Sequence, residues 1–196
     1  MSCKKDIIKT MKKLYKKELI SVRDGNVSFK PKNEDCFYIS AGSVKKHLMS
    51  EDQVIKVNFD KMKNLSYDKS FRYQPSREIF MHSFLHTHNS NYNKNTFVVH
   101  AHPKNIISFM GVNQSQELNN IKTFFPEINV GSIGKNVLYH DAGSIDLAKN
   151  CYENLLNHEI VGLERHGSLS VGTDLDRIFE NIETLEYYIE CYLKSK

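Results

Sequence analysis

Thr96-Phe97-Val98-Val99-His100-Ala101-His102-Pro103 is the stretch on which the reading of this chain turns. A run of β-branched and aromatic residues predicts a strand, and in a strand alternate side chains share a face. His100 and His102 therefore point the same way, with Cα atoms roughly 6–7 Å apart. Two imidazoles aimed at one point leave room for a soft dication between them. Pro103 has no N–H for the next ladder bond and stops the strand. Both rings are thus left at the end of a rigid element, where binding residues commonly sit.

Outward from this strand, helical and strand patterns alternate without repeats. Helices are predicted over 4–20, 76–89, 103–110, 115–124, 144–157 and 173–194. Strands are predicted at 26–30, 36–40, 53–59, 96–102, 128–130, 136–140, 160–164 and 168–171. A turn is expected at Asp24-Gly25 and a polar stretch over 60–74. Pro75 suits the start of a helix, and Ser76 is a candidate cap for it. The chain has 196 residues and is 40% apolar, enough for one ordinary core. No Pro-, Gly- or Ser-rich linker divides it, so residues 1–196 are expected to form a single layered α/β domain.

The net charge of +4 excludes little by its size but something by its placement. Lys4, Lys5, Lys9, Lys12, Lys13, Lys16 and Lys17 crowd the first helix, where Ile7, Ile8, Met11, Leu14 and Leu19 repeat at helical spacing. The lysines are then the solvated back of an amphipathic helix, and no nucleic-acid partner is expected. No apolar stretch approaches the roughly 20 residues that span a bilayer, and the lysines interrupt any signal-peptide core. A cytoplasmic location is the expectation. Cys3, Cys36, Cys151 and Cys191 lack metal or redox spacing and read as reduced structural thiols.

A metal site needs more than two ligands. His166 follows the apolar run Ile160-Val161-Gly162-Leu163 and precedes Gly167, which lets backbone approach closely. Three histidines with an open fourth position make the catalytic kind of zinc site. Glu78, a carboxylate among Ile79, Phe80, Phe84 and Leu85, is the candidate general acid or base beside it. A rival cluster is His82, His86 and His88, since an i, i+4 pair on a helix also chelates metals.

The ordered set Gly25-Asn26-x-Ser28, Ile39-Ser40-Ala41-Gly42 with Leu48 beyond, Pro75-Ser76-x-Glu78-x-x-x-His82, Val98-Val99-His100-x-His102-Pro103, Ala142-Gly143-Ser144 and His166-Gly167 resembles the class II aldolase/adducin family. That family contains sugar-phosphate aldolases, epimerases, dehydratases and decarboxylases, and the non-catalytic adducin heads. The resemblance implies a three-layer α/β fold, with a central, largely antiparallel sheet covered by helices. It implies Zn²⁺ on His100, His102 and His166, with Glu78 as acid/base and a metal-stabilised enediolate as intermediate. Another divalent transition metal would also suit three imidazoles. It further implies a small phosphorylated sugar or sugar acid as substrate and a homo-oligomer, a cyclic tetramer in many members.

Two departures from the family pattern bear on the substrate. The hydroxyl-rich phosphate pocket is here Val22-Arg23-Asp24-Gly25-Asn26, Ala41-Gly42 and Pro75-Ser76-Arg77-Glu78. Arginine forks bind phosphate or carboxylate, so Gly25, Asn26, Gly42, Ser76 and Arg77, with Arg23 beside them, are the expected anion-binding set. Arg77, immediately before the glutamate, resembles the decarboxylase branch. The tyrosine that family aldolases use as a proton donor has no counterpart between Pro103 and Lys135. Retro-aldol cleavage or decarboxylation is the leading expectation. A 4-epimerase or dehydratase at the same metal, or a non-catalytic adducin-like binding module, are the alternatives.

Overall fold

A computed structural model describes residues 3–60, 62, 64–88, 93–111 and 116–196. Its helices are α1 (Cys3–Lys16), α2 (Ile79–His88), α3 (Lys104–Met110), α4 (Ile121–Phe124), α5 (Ile145–Leu155) and α6 (Leu175–Lys194). Its strands are β1 (Asn26–Lys30), β2 (Cys36–Ser40), β3 (Val54–Phe59), β4 (Leu65–Ser66), β5 (Thr96–Ala101), β6 (Ile160–Leu163) and β7 (Gly167–Gly172). They form one sheet in the order β4-β3-β2-β1-β5-β7-β6, antiparallel at every pairing. The α/β, helix-covered antiparallel sheet expected from the sequence is the observed architecture.

Alternation along β5 builds the layers. Phe97, Val99 and Ala101 face the core shared with α1, α3 and α6, while Val98 faces the second core, built with α2 and α5. His100 lies on the Val98 face, opposite Asn26 of β1 and Leu169 of β7. Each buried Val or Leu stabilises this register by about 1.5–3 kcal/mol. A one-residue slip would send His100 into the wrong core. Hydrophobic patterning therefore aims the histidine.

Element ends differ from the expectations for local reasons. The first helix stops at Lys16, not near 20, because Glu18 is left-handed (φ 57°). Its N–H donates to Tyr15 O and that of Leu19 to Leu14 O, the bonding of a Schellman cap, with Leu14 and Leu19 both buried. The second helix begins at Ile79, not 76. Pro75 is bridged to Ala41 and the Ser76 N–H is given to Ser40 O, so this segment is still tied to the end of β2. No strand forms at 128–130 or 136–140; single parallel bridges, Ile133 to Ile160 and Val137 to Leu163, tie that chain to β6. The helix expected over 115–124 is a 3₁₀ turn, Leu118–Asn120, followed by α4, and residue 115 lies outside the described residues. All four cysteines are free thiols. Among the described residues no helix is long and apolar enough to cross a membrane.

Candidate functional site

Two neighbouring strand ends deliver the three histidines. His100 is the last residue of β5 paired with β1, and His102 stands just past the strand end at Ala101, its backbone N–H fixed by Leu19 O at 2.9 Å. His166 closes the 164–166 turn between β6 and β7, with Arg165 left-handed at φ 57°. Gly167 is what brings that turn in. A Cβ there would lie 2.1 Å from Ala101 O, so no side chain fits where β7 meets β5.

The Nε2 atoms converge: His100 to His102 at 2.8 Å, His100 to His166 at 3.2 Å, with all three ligand atoms within 4.8 Å. His100 donates its Nδ1–H to Ser168 O at 3.0 Å, which leaves its Nε2 lone pair facing the other two rings. Burial pushes all three imidazoles below their ordinary range, His166 to about 4, so they are neutral near pH 7. Three neutral nitrogens at this spacing fit a tetrahedral transition ion, whose nitrogen ligands at about 2.0–2.1 Å lie about 3.3 Å apart. Among the described residues no other cluster of histidine, cysteine or carboxylate groups converges this way. His82 and His86 of the rival set are bridged by the Ser28 hydroxyl, and the side chain of His88 lies outside the described residues.

Glu78 sits in the turn before α2, 6% exposed, with Oε1 3.9 Å from His166 Nε2. Its other oxygen accepts the Gly143 N–H at 3.2 Å. Burial raises its pKa, while the Gly143 N–H and the charge of Arg77 pull it back down. The carboxylate is thereby brought nearer to proton exchange at neutral pH.

These groups share one cavity of about 330 Å³. Its wall also carries Gly25, Asn26, Gly42, Ser76 and Arg77, together with Arg23, so every residue expected at the site lines it. Asn26 Nδ2 donates to Ser76 Oγ at 3.0 Å. Gly25 is left-handed (φ 69°), and a Cβ there would meet Ile20 at 2.5 Å. The Gly42 N–H is already given to Gln74 O, so this glycine contributes space rather than a donor. Arg23 reaches across to Ser43 O. A hollow of about 340 Å³ around Glu159 and Arg177, at the opposite end of the β6–β7 ribbon, holds none of the three histidines.

Several wall residues were not singled out from the sequence as site residues. Asp24, Ser43, Lys46 and Ala142 line the cavity, and Gly143 orients Glu78. The Ala142-Gly143-Ser144 motif was the available signal for the last two; Lys46 carried none. No tyrosine lines the cavity among the described residues. The α6 tyrosines are spent elsewhere: Tyr192 packs on Phe109 and Phe124, Tyr188 on Phe125, and Tyr187 is exposed.

Comparison with known proteins bears on the family and the fold. A protein described as L-fuculose phosphate aldolase from Methanocaldococcus jannaschii is 26% identical over 185 residues, 93% of this chain and 91% of that one. One of the same description from Methanococcus maripaludis is 27% identical over 186 residues, 92% and 91% of the two chains. The solved sugar-phosphate aldolase from Thermotoga maritima superposes with a TM-score of 0.79 at 20% identity, covering 98% of this chain and 94% of that one, which shows a shared fold. The Class II Aldolase and Adducin N-terminal domain model matches residues 5–193, and the protein belongs to that family.

Proposed function

We propose that this protein is a metal-dependent lyase of the aldolase type, acting on a small phosphorylated sugar or sugar acid by retro-aldol cleavage or decarboxylation. The observation that carries the reading is a buried carboxylate, Glu78, 3.9 Å from one of three converging imidazoles in a single cavity. A non-catalytic binding module has no physical need for that pairing. The relatives described as L-fuculose phosphate aldolases support the sugar-phosphate class.

His100, His102 and His166 would hold the ion, zinc by the all-imidazole donor set. When bound, the ion supplies Lewis-acid polarisation of a substrate carbonyl, stabilising the negative charge that develops as a neighbouring bond breaks. Glu78 moves the proton at the carbon beside that carbonyl. The Gly143 N–H fixes which carboxylate oxygen is free to do so. Asn26 and Ser76 orient the anionic end of the substrate, and Arg77 adds charge at the rim. Assembly into a homo-oligomer and a cytoplasmic location belong to the same reading.

The test is to assay zinc-loaded protein against phosphorylated ketoses and 3-keto sugar acids, reading aldehyde, CO₂ or isomer. Aldehyde or CO₂ is expected; an isomer or dehydrated product alone would reassign the reaction at this metal. Glu78→Gln should keep its zinc and lose turnover by about 10²–10⁴-fold, because an amide cannot cycle a proton. A Gln variant with wild-type turnover would place the acid/base elsewhere.

A further inference from the structure

A chain of buried polar groups runs away from the cavity, and beyond Asn26 and Ser76 it has no part in the proposed reaction. Asn26 Nδ2 donates to Ser76 Oγ at 3.0 Å, and its Oδ1 faces His82 Nε2 in a short contact. His82 Nδ1 lies 2.6 Å from Ser28 Oγ, and Ser28 Oγ lies 2.7 Å from His86 Nε2. His82 is 0% and His86 2% exposed. The far end, His86 Nδ1, is buried and has no hydrogen-bond partner among the described residues, and its ring lies beside that of Phe37.

With the Ser28 hydroxyl giving its hydrogen to one imidazole and accepting from the other, the chain runs in one of two directions as a unit. In one, His86 Nε2–H donates to Ser28, Ser28 donates to His82 Nδ1, and His82 Nε2–H donates to Asn26 Oδ1. His86 Nδ1 is then a bare lone pair. In the other, every bond reverses, Asn26 turns its carbonyl oxygen to Ser76, and His86 Nδ1 becomes a buried N–H with nothing to accept it. Orphaned buried N–H groups are rarer in folded proteins than under-used acceptors. The partnerless end beside Phe37 therefore favours the first direction.

That direction decides what the cavity wall offers. Ser76 Oγ already accepts from Asn26 and from the Glu78 N–H at 3.3 Å, so its own hydrogen is left over. The second hydrogen on Asn26 Nδ2 is left over as well. Both residues line the cavity. Reversal would consume the Ser76 hydrogen and turn the amide oxygen toward that side.

We infer that His86 and His82, acting through Ser28, are positioning residues that hold the Asn26 carboxamide with its NH₂ toward Ser76, so that this wall presents hydrogen-bond donors to the anionic group of the substrate. The inference rests on the proposed binding of an anionic sugar derivative in this cavity. Neither histidine touches substrate or metal; each acts by the hydrogen it gives.

Two measurements on the zinc-loaded protein test it. Long-range ¹H–¹⁵N spectra of the histidine-labelled chain should show His82 and His86 both as Nε2–H tautomers, and either ring found as Nδ1–H overturns the relay. Inorganic phosphate titrated by calorimetry should bind His82→Leu about tenfold more weakly than wild type, one charge-assisted hydrogen bond being at stake. His82→Gln, which restores an N–H near the same position, should return affinity to within about twofold, with zinc content equal in all three. Unchanged phosphate affinity in a folded His82→Leu variant overturns the positioning role. Wild-type protein that binds no phosphate removes the anion site itself, a failure of the proposed function and not of the relay, whose direction the tautomers still report.

Discussion

Lys46 is 1% exposed and its ammonium donates to a single carbonyl, Ala41 O, at 2.7 Å. Burial pushes its pKa down from 10.5 to about 8, against a smaller upward pull from Asp24. At pH values between these two figures the unfolded chain binds more protons at this residue than the folded chain. Stability from this group therefore rises as pH goes from about 8 to 10.5. Lys46→Met should flatten that rise by about 1–3 kcal/mol, read from denaturant unfolding at pH 7.5 and 10. An identical pH slope in the variant would mean that the buried amine is as solvated as any surface lysine. At this scale the three converging histidines and the neighbouring Glu78 could be picked out because their signals are local: a two-residue spacing, a histidine beside glycine, an acid in an apolar run. Lys46 and the Gly143 amide were not, because their significance lies in what folds over them.

The short helix α3 follows the histidine strand, and its N-cap position is Pro103, which has no capping side chain. Glu186 of α6 supplies the missing acceptors. One oxygen takes the Asn105 backbone N–H and side-chain amide, both at 3.0 Å, and the other takes the Ile106 N–H at 2.9 Å. Glu186→Ala should cost about 1–2 kcal/mol, as lost caps do, and lower the melting temperature by about 2–8 °C. A melt unchanged within error would show that water caps α3 as well as the carboxylate does. Element centres were readable from periodicity, and their ends were not. The left-handed Glu18 and the Pro75–Ala41 bridge are decided by partners distant in sequence or by an unfavoured conformation. Likewise Val137 and its neighbours alternate as a strand does, yet meet β6 at isolated bridges only.

For the molecule as a whole, the pairings of the sheet hold the strand ends that carry the three histidines. Ladder bonds to β1 and β7 hold β5 on both sides, and the β6–β7 pairing carries His166. Chelator-treated protein should accordingly remain folded. Zinc at about 1,000 times its dissociation constant should stabilise it by about 4 kcal/mol, seen as a higher melting temperature. His100→Ala should abolish both that shift and stoichiometric zinc after dialysis, while full zinc content in the variant would dissolve the site as drawn. The antiparallel, helix-covered sheet was legible from the family motifs. The strand order was not, since it depends on pairings between segments far apart in the chain.

The join between β5 and β7 also has a meaning in time. His100 and His102 are two residues apart and form a bidentate pair in any extended chain, but His166 joins them only when a loop of more than sixty residues has closed. Closing so long a loop belongs among the slow, entropy-limited events of folding. The third imidazole arrives late, so under the proposed metal binding a tight grip on an ion would mark a chain that has finished folding. Such an ion would act chiefly as a brake on unfolding rather than as a seed for the fold.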